Sequence, residues 1–430
     1  MKVHFIGIGG IGVSALAQYY LEEGRKVSGS DLVASEITDF LKGKRIKIFI
    51  GNSKKNISKN LNLVVYSPAV PKSNPELCQA KRYEIKTISY PEALGQLTKQ
   101  YYTVAVAGAH GKSTTTAMIG LIMARAGLDP TVIVGAKLKE FGNSNFRAGK
   151  SKFLVLEACE YDGSFLNYSP KIIVITNVDK EHLDYFKTLA GVKKTFKDFM
   201  MKLPKDGFLV VNGDDKNIPK IKKARFKRKN YSLWQKEGEK IKKILKIPGR
   251  HNVSNALAAL TAARILDIPD KISFKALLRY RGSWRRFEIK NGLANGRKIT
   301  IISDYGHHPN EISATFLAAR EKYKNKKIWS IFQPHQYQRT HYLFLDFVTV
   351  FREAPINNIV ITDIYDVAGR EKKGITVNIN SKRLVAKINR PHIRYYSVLG
   401  AERHVKENIK NGDVLIIMGA GDIYKLVDKF

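Results

Sequence analysis

Short apolar runs recur along the chain between polar or glycine-rich stretches, and none alternates strictly. That pattern predicts strands covered by helices on both faces, because a strand buried on both sides needs no polar face. In the first hundred residues the predicted strands are 3–6, 26–28, 47–49 and 63–66. The last runs into a proline-bearing loop at Ser67, and 90–100 closes the unit. A second set begins with a strand from Tyr102 into Gly108 and continues with 153–156, 172–175 and 208–211. Residues 251–266 read as a helix. Arg279 to Phe287, with a glycine, a tryptophan and four arginines, reads as a boundary. A third set follows at 300–303, 328–332, 358–362 and 414–418. The expectation is an α/β chain of three domains, at 1–98, 99–283 and 284–430.

Composition narrows this little. The chain has 430 residues, and its 44% hydrophobic content is ample for packed cores. No run approaches the length of a membrane span, so no membrane insertion is expected. The chain enters a strand at once, which leaves no room for a signal peptide. Cys78 and Cys159 are the only cysteines, which fits a reducing, cytoplasmic setting. The formal charge of +36 suggests polyanion binding. The basic residues are spread along the chain, however. The densest block, Pro219 to Lys229, reads as a solvated strand-and-turn face. No zinc-finger, helix-turn-helix or RNP pattern accompanies it, so no specific nucleic-acid partner is expected.

Chemistry concentrates where predicted strands end. Val104 to Thr116 reads as a buried strand, a glycine turn and the first turn of a helix. Gly108, Ala109, His110, Gly111, Lys112, Ser113 and Thr114 would cradle a nucleotide phosphate chain, with the Ser113 hydroxyl reaching Mg²⁺. The loop is shorter than a strict Walker A loop, since Val106 stands where its first glycine belongs. A plain capped βα turn is the competing reading. A second turn carries Gly7, Gly9 and Gly12 after the first strand, with Asp31 beyond the next strand. That spacing suits a phosphate-bearing ligand whose ribose the acid holds. Two such turns argue for two nucleotide-like ligands.

Glu157 ends the 153–156 strand, and His182 follows the 172–175 strand. Taken as neighbours, these strands would bring a carboxylate and an imidazole to Lys112 and Ser113, a set able to hold Mg²⁺. Asp162, Asp179, Glu181 and Asp184 read as helix caps or solvated acids. Asn252 and Asn255 share a helix face beside His251 and could grip a purine edge or ribose. Arg285 and Arg286 could clamp phosphate. Asp304, Tyr305, His307, His308, His335 and Arg339 lie beyond two strands and suit a small substrate bearing a carboxylate or an amine.

These motifs resemble the Mur ligase family along essentially the whole chain. The resemblance rests on Gly7–Gly12, Gly108–Thr116, Glu157–Asp162, Thr176-Asn177 with His182, His251-Asn252, Trp284–Glu288, Asp304–Pro309 and Gly419–Asp422. It implies a Rossmann-like N-terminal domain for a UDP-sugar, a central P-loop ATPase-like domain on a mostly parallel sheet, and a Rossmann-like C-terminal domain admitting an amino acid. The implied reaction uses ATP and Mg²⁺, and Tyr305–Pro309 with Gln333–His335 favours L-alanine as amino acid and UDP-N-acetylmuramate as acceptor. By resemblance, Lys112 is the phosphate lysine, and Ser113, Glu157 and His182 hold metal. His251, Asn252, Asn255 and Arg285 lie on the nucleotide side. Tyr305, His307 and Arg339 face substrate. Gly9, Gly10, Ile11, Gly12, Asp31 and Ser67 surround the UDP moiety. Two departures stand out: Gln336 replaces a customary arginine, and Glu181 a customary aspartate. A monomer or homodimer is expected. The competing readings are an NAD-dependent dehydrogenase, which leaves Gly108–Thr116 without purpose, and a basic nucleic-acid ATPase, which lacks motor motifs.

Overall fold

The computed structural model describes residues 1–366 and 379–430. They form two compact units: Met1–Asp179 with Val192–Gln235 and Asn255–Tyr280, and Lys180–Gly191 with Lys236–Ser254 and Arg281–Phe430.

The first unit holds two sheets. One comprises β1 (Lys2–Ile6), β2 (Lys26–Asp31), β3 (Lys47–Ile50), β4 (Leu63–Tyr66) and β5 (Thr87–Ser89). Its order is β3-β2-β1-β4-β5, with every pairing parallel. Strand order reverses between β1 and β4, and such a reversal opens a crevice at the strands' carboxyl ends. The Gly7–Gly12 turn and Ser67 both leave strands at that edge.

The other sheet comprises β6 (Tyr102–Ala107), β7 (Thr131–Leu138), β8 (Ser144–Arg147), β9 (Phe153–Glu157), β10 (Ile172–Ile175), β11 (Phe208–Asn212) and β12 (Lys227–Tyr231). Its order is β12-β11-β10-β6-β9-β7-β8, and only β8 runs antiparallel. Here one expectation fails. The strands carrying Glu157 and preceding His182 are not neighbours, because β6 lies between β9 and β10. The apolar runs showed the strands but carried no signal for their lateral order. The helix Lys112–Arg125 is buried along most of its length, since Ala117, Met118, Ile119, Ile122 and Met123 leave it no wide polar face. Four strands of this unit were not predicted. Gly135 interrupts β7, β5 and β8 are short, and β12 is the sequence Lys-Arg-Lys-Asn-Tyr, whose first four residues are exposed. As the last strand of its sheet, β12 carries charges that discourage edge-to-edge pairing.

The second unit is built on β13 (Glu288–Ala294), β14 (Arg297–Asp304), β15 (Ile328–Phe332), β16 (Asn358–Ile361), β17 (Ile393–Tyr395) and β18 (Val414–Met418). The order is β13-β14-β18-β15-β16-β17, parallel except for the β13–β14 hairpin. That hairpin turns at Asn295-Gly296, both with positive φ, as a tight two-residue turn requires. Side chains alternate between two cores. Val414, Ile416 and Met418 join Phe316, Phe332, Phe347 and Phe351 on one face, while Leu415 and Ile417 join Trp329 and Ile331 on the other. The carboxyl ends of β14, β15 and β18 carry Asp304–Pro309, Gln333–Arg339 and Gly419–Asp422. Among the described residues, no helix is long and apolar enough to cross a membrane.

Candidate active site

In the first unit, two glycine turns follow the central strands of the two sheets. After β1, the Gly7 and Ile8 amides donate to the Ser30 carbonyl at 2.8 and 3.0 Å. The Gly9 amide donates to Asp31 Oδ2 at 2.8 Å. Gly7 has φ +78°, and a β-carbon there would meet Ser67 Cβ at 2.9 Å. Gly9, Gly10, Ile11, Gly12, Asp31 and Ser67 are therefore brought together at one edge. Asp31 already serves the turn's backbone, a task the spacing argument did not assign to it.

After β6, Gly108 adopts φ +144° and Gly111 φ +80°. A β-carbon on Gly108 would lie 2.0 Å from Thr176 Oγ1, and one on Gly111 would lie 2.3 Å from Asn255 Oδ1. Only glycine fits either place. The loop between them is fixed at His110. Its amide donates to Asn177 Oδ1 at 2.8 Å, and its carbonyl accepts from Thr176 Oγ1 at 2.6 Å and Asn177 Nδ2 at 2.9 Å. Its ring lies 3.2 Å from Asp179 Oδ2. The helix then begins at Lys112, so the amides of Lys112, Ser113 and Thr114 form its open first turn, a natural anion seat.

Lys112 Nζ donates to the carbonyls of Gly108 and Ala109 at 2.6 and 3.1 Å and lies 3.1 Å from Glu160 Oε2. Burial alone would lower the ammonium's pKa. The Glu160 carboxylate, with that of Glu157 behind it, outweighs it and holds Lys112 charged. Burial also pushes the Cys159 thiol up to about 12, which leaves it unreactive. Ser113 Oγ donates to Glu157 Oε2 at 2.7 Å, and the Gly135 amide donates to the same oxygen at 2.8 Å. Two of the three expected metal ligands thus sit together.

The third, His182, belongs to the second unit. It has φ +55° and precedes the short helix Leu183–Phe186. Beside it Glu181 is buried, not a solvated acid or cap as expected. Glu181 Oε1 meets Arg339 Nη2 at 2.6 Å and lies 4.0 Å from His182 Nδ1. Burial would raise that carboxyl, yet Arg339, then His182, His308 and His307, hold it well below the usual carboxylate range. Arg339 Nη1 also lies 3.2 Å from His335 Nδ1. His307 Nδ1 faces the Tyr305 carbonyl at 3.1 Å, and its ring is 6.0 Å from that of His335. Burial, then the Arg339 charge, lowers the His307 pKa to about 4, so the ring is neutral at pH 7. His308 instead caps the helix Pro309–Lys322, paired in a capping box with Glu311. Tyr305, His307 and Arg339 therefore share one cluster, as the motif spacing suggested. A shallow depression beside it is lined by Lys180, His182, Gln336, Arg339 and Tyr342, among others.

Three further expected residues carry structural contacts. Arg285 is 4% exposed. Its guanidinium lies over the rings of Tyr424, Tyr305 and Trp284 at 4.4, 4.9 and 5.5 Å. It donates to the Gly419 and Gly421 carbonyls. That is a buried anchor, not an open phosphate clamp. Asn252 Nδ2 donates to the Pro248 carbonyl at 2.6 Å. His251 packs against Gly249, where a β-carbon would meet its Cε1 at 2.6 Å. Motif reading missed Glu160 as the partner of Lys112 and Gly135 as a donor to Glu157. Asp304, expected among the residues that orient a small substrate, serves the backbone instead. Asp304 is buried and accepts from the Gly306 and Phe287 amides at 2.7 and 2.8 Å. Its strand-end position was the available signal. Nothing in the sequence marked Gly135.

Family models match three segments: "Mur ligase family, catalytic domain" over 2–102, "Mur ligase middle domain" over 106–236 and "Mur ligase, glutamate ligase domain" over 285–421. The UDP-N-acetylmuramate–L-alanine ligase of Clostridium acetobutylicum is 40% identical over 456 residues, covering 100% of this chain and 97% of the relative. That of Clostridium botulinum strain Okra is 41% identical with the same coverage of each chain, 100% and 97%. Among solved structures, the UDP-N-acetylmuramate–alanine ligase of Thermotoga maritima superposes with a TM-score of 0.81 at 25% identity, covering 100% of this chain and 98% of that one. A murein peptide ligase from Psychrobacter arcticus shares the fold, with a TM-score of 0.73 at 20% identity. With its three α/β sheets, its two glycine turns and full-length similarity to these relatives, the chain belongs to the Mur ligase family.

Proposed function

We propose that this chain is an ATP-dependent ligase that joins L-alanine to the lactyl carboxylate of UDP-N-acetylmuramate, giving UDP-N-acetylmuramoyl-L-alanine, ADP and phosphate in peptidoglycan precursor synthesis. The observation that carries the reading is full-length identity of about 40% to ligases of that name. Two separate glycine turns in one compact unit support it, because the reaction needs one nucleotide as a handle and another to be consumed. The three-domain division at 1–98, 99–283 and 284–430 is part of the proposal, as is a cytoplasmic setting.

In this reading the Gly7–Gly12 turn, Asp31 and Ser67 hold the UDP moiety. The Gly108–Thr114 loop holds the ATP phosphates, with Asn255 pressed against Gly111. Lys112, kept charged by Glu160, and the helix amides offset the negative charge that spreads over the transferring phosphoryl. The lactyl carboxylate accepts that phosphoryl and becomes an acyl phosphate. The neutral amine of alanine attacks the acyl carbon, and phosphate leaves. The Ser113 hydroxyl and Glu157 carboxylate fit Mg²⁺, being hard oxygen donors within hydrogen-bonding distance of each other. His182 is the third proposed ligand, although imidazole is an uncommon donor to this ion. Bound there, Mg²⁺ would supply charge neutralisation at the phosphates. Tyr305, His307 and Arg339 would orient the amino acid and acceptor. The His307 ring, neutral at pH 7, would contribute a hydrogen-bonding contact without a charge.

Phosphate release with UDP-N-acetylmuramate and ATP, compared across L-alanine, L-serine, glycine, D-glutamate and a stem tripeptide, tests the reading. Release should be fastest with L-alanine. Preference for D-glutamate or the tripeptide would move the chain to another branch.

A further inference from the structure

The first unit contains a buried polar network that the proposed reaction does not use. It joins the helix Ile11–Glu22, which leaves the Gly7–Gly12 turn, to β8 of the other sheet. Asn145 Nδ2 donates to the Ile11 carbonyl, and lies 3.0 Å from Ser14 Oγ. Gln18 Nε2 donates to Asn145 Oδ1 at 2.9 Å, and Ser144 Oγ donates to Gln18 Oε1 at 3.0 Å. All four side chains, Ser14, Gln18, Ser144 and Asn145, are buried, at most 5% exposed. A buried amide pair is costly unless its bonds are made, and apolar residues would fill the same space without that requirement. The network therefore specifies an alignment that apolar packing would leave loose.

The strand that ends the network belongs to the same sheet as the phosphate-transfer residues. Asn145 lies on β8, which pairs with β7, which pairs in turn with β9. Gly135 of β7 donates its amide to Glu157 Oε2, the oxygen that also accepts from Ser113. A second contact runs parallel to the first. A β-carbon on Gly12 would meet the Tyr90 hydroxyl at 2.7 Å. Tyr90 opens the helix Tyr90–Thr98, on which Gly95 is so close to Asn167 that a β-carbon there would sit 2.5 Å from its carbonyl oxygen. Asn167 ends the turn Tyr161–Asn167, which follows Glu157 by a few residues.

We propose that Asn145, with Gln18, is a positioning residue that sets the register between the Gly7–Gly12 turn and the Ser113–Glu157 pair. It touches no reacting atom. It fixes where the turn holding the UDP handle stands relative to the residues that handle the γ-phosphate. In-line phosphoryl transfer is sensitive to displacements of about 1 Å, so a loosened register lowers turnover more than it lowers the affinity for either nucleotide. The inference rests on the ligase reading above.

The test uses the full chain. Wild-type phosphate release dependent on UDP-N-acetylmuramate and L-alanine is measured first, and its absence overturns the ligase reading independently of any variant. Three variants follow: Asn145→Ala, the volume-matched double variant Gln18→Met/Asn145→Leu, and Ser144→Ala. Calorimetry gives separate affinities for UDP-N-acetylmuramate and ATP, and thermal unfolding shows which variants are folded. In folded variants lacking Asn145, kcat should fall by about tenfold or more, with each dissociation constant within about threefold of wild type. A folded double variant with kcat within about twofold of wild type overturns the inference, as does a loss confined to UDP-N-acetylmuramate affinity. If neither Asn145 variant folds, Ser144→Ala decides. A fall in kcat of about threefold at unchanged affinities supports the register role, and wild-type kcat overturns it.

Discussion

Lys112 shows how single side chains set this chemistry. Its ammonium is tied to Glu160 and two loop carbonyls, all in the second glycine turn's surroundings and none in the first's. Lys112→Ala should abolish ligation while leaving UDP-N-acetylmuramate affinity, read by calorimetry, within about threefold. An equal loss of both would end the division of labour between the turns. His307 gives a pH signature. Its folded-state pKa of about 4 lies below the ordinary 6.5, so below pH 6.5 the unfolded chain binds the proton more readily. This group's contribution is therefore fully present above pH 6.5 and is lost as pH falls toward 4. Urea denaturation from pH 7 to pH 4 should show a smaller stability loss in His307→Gln than in the parent. Gln336 carries a third expectation. It lines a shallow depression with Lys180 and Arg339 already present, and its φ is +71°. An added arginine there crowds like charges, so Gln336→Arg should leave both substrate KM values within about threefold of the parent. A KM about tenfold lower for either substrate would show an unfilled anion contact.

Arg285 belongs with the elements it joins. It opens the segment before β13, its carbonyl accepts from the Tyr305 amide at 2.7 Å after β14, and its guanidinium holds the turn after β18. Three segments of one sheet edge thus converge on one planar fork stacked among aromatic rings. Lysine has the charge but neither the fork nor the stacking plane. Arg285→Lys should cost about 2–3 kcal/mol, read by denaturant unfolding, because buried carbonyls lose their donors. The KM for ATP should stay within about threefold. A large rise in that KM with little loss of stability would restore the phosphate-clamp reading.

Over the whole chain, the surplus of 74 Lys and Arg over 38 Asp and Glu is distributed instead of forming one reading surface. The block before and within β12 is an exposed sheet edge. Attraction to polyanions should then be electrostatic and nonspecific. Retention on heparin should fall steeply between about 0.1 and 0.5 M salt, with no preference among DNA sequences. A sequence-dependent affinity that survives high salt would point to a base-reading surface.

What the chain's sequence determined alone was the existence of three α/β sheets and the identity of their strand-end motifs. Buried strands need uninterrupted apolar runs, and phosphate turns need glycines at set places, so both are written locally. Gly108 and Gly111, Lys112, and the Asp304–Pro309 segment could be read for that reason. Lateral order could not. Whether β6 separates β9 from β10 depends on which strands pair, and pairing is a long-range choice with no local residue code. The same holds for side-chain partners distant in sequence. Glu181 looked like a solvated acid until Arg339 was found 2.6 Å from it. Arg285 looked like a free clamp until three rings enclosed it. Asn145 and Gln18 had no signal at all, because a polar residue in a strand or helix reads as exposed. Only tertiary packing removed water from them, and the loss of water makes each unmade hydrogen bond costly enough to decide the arrangement.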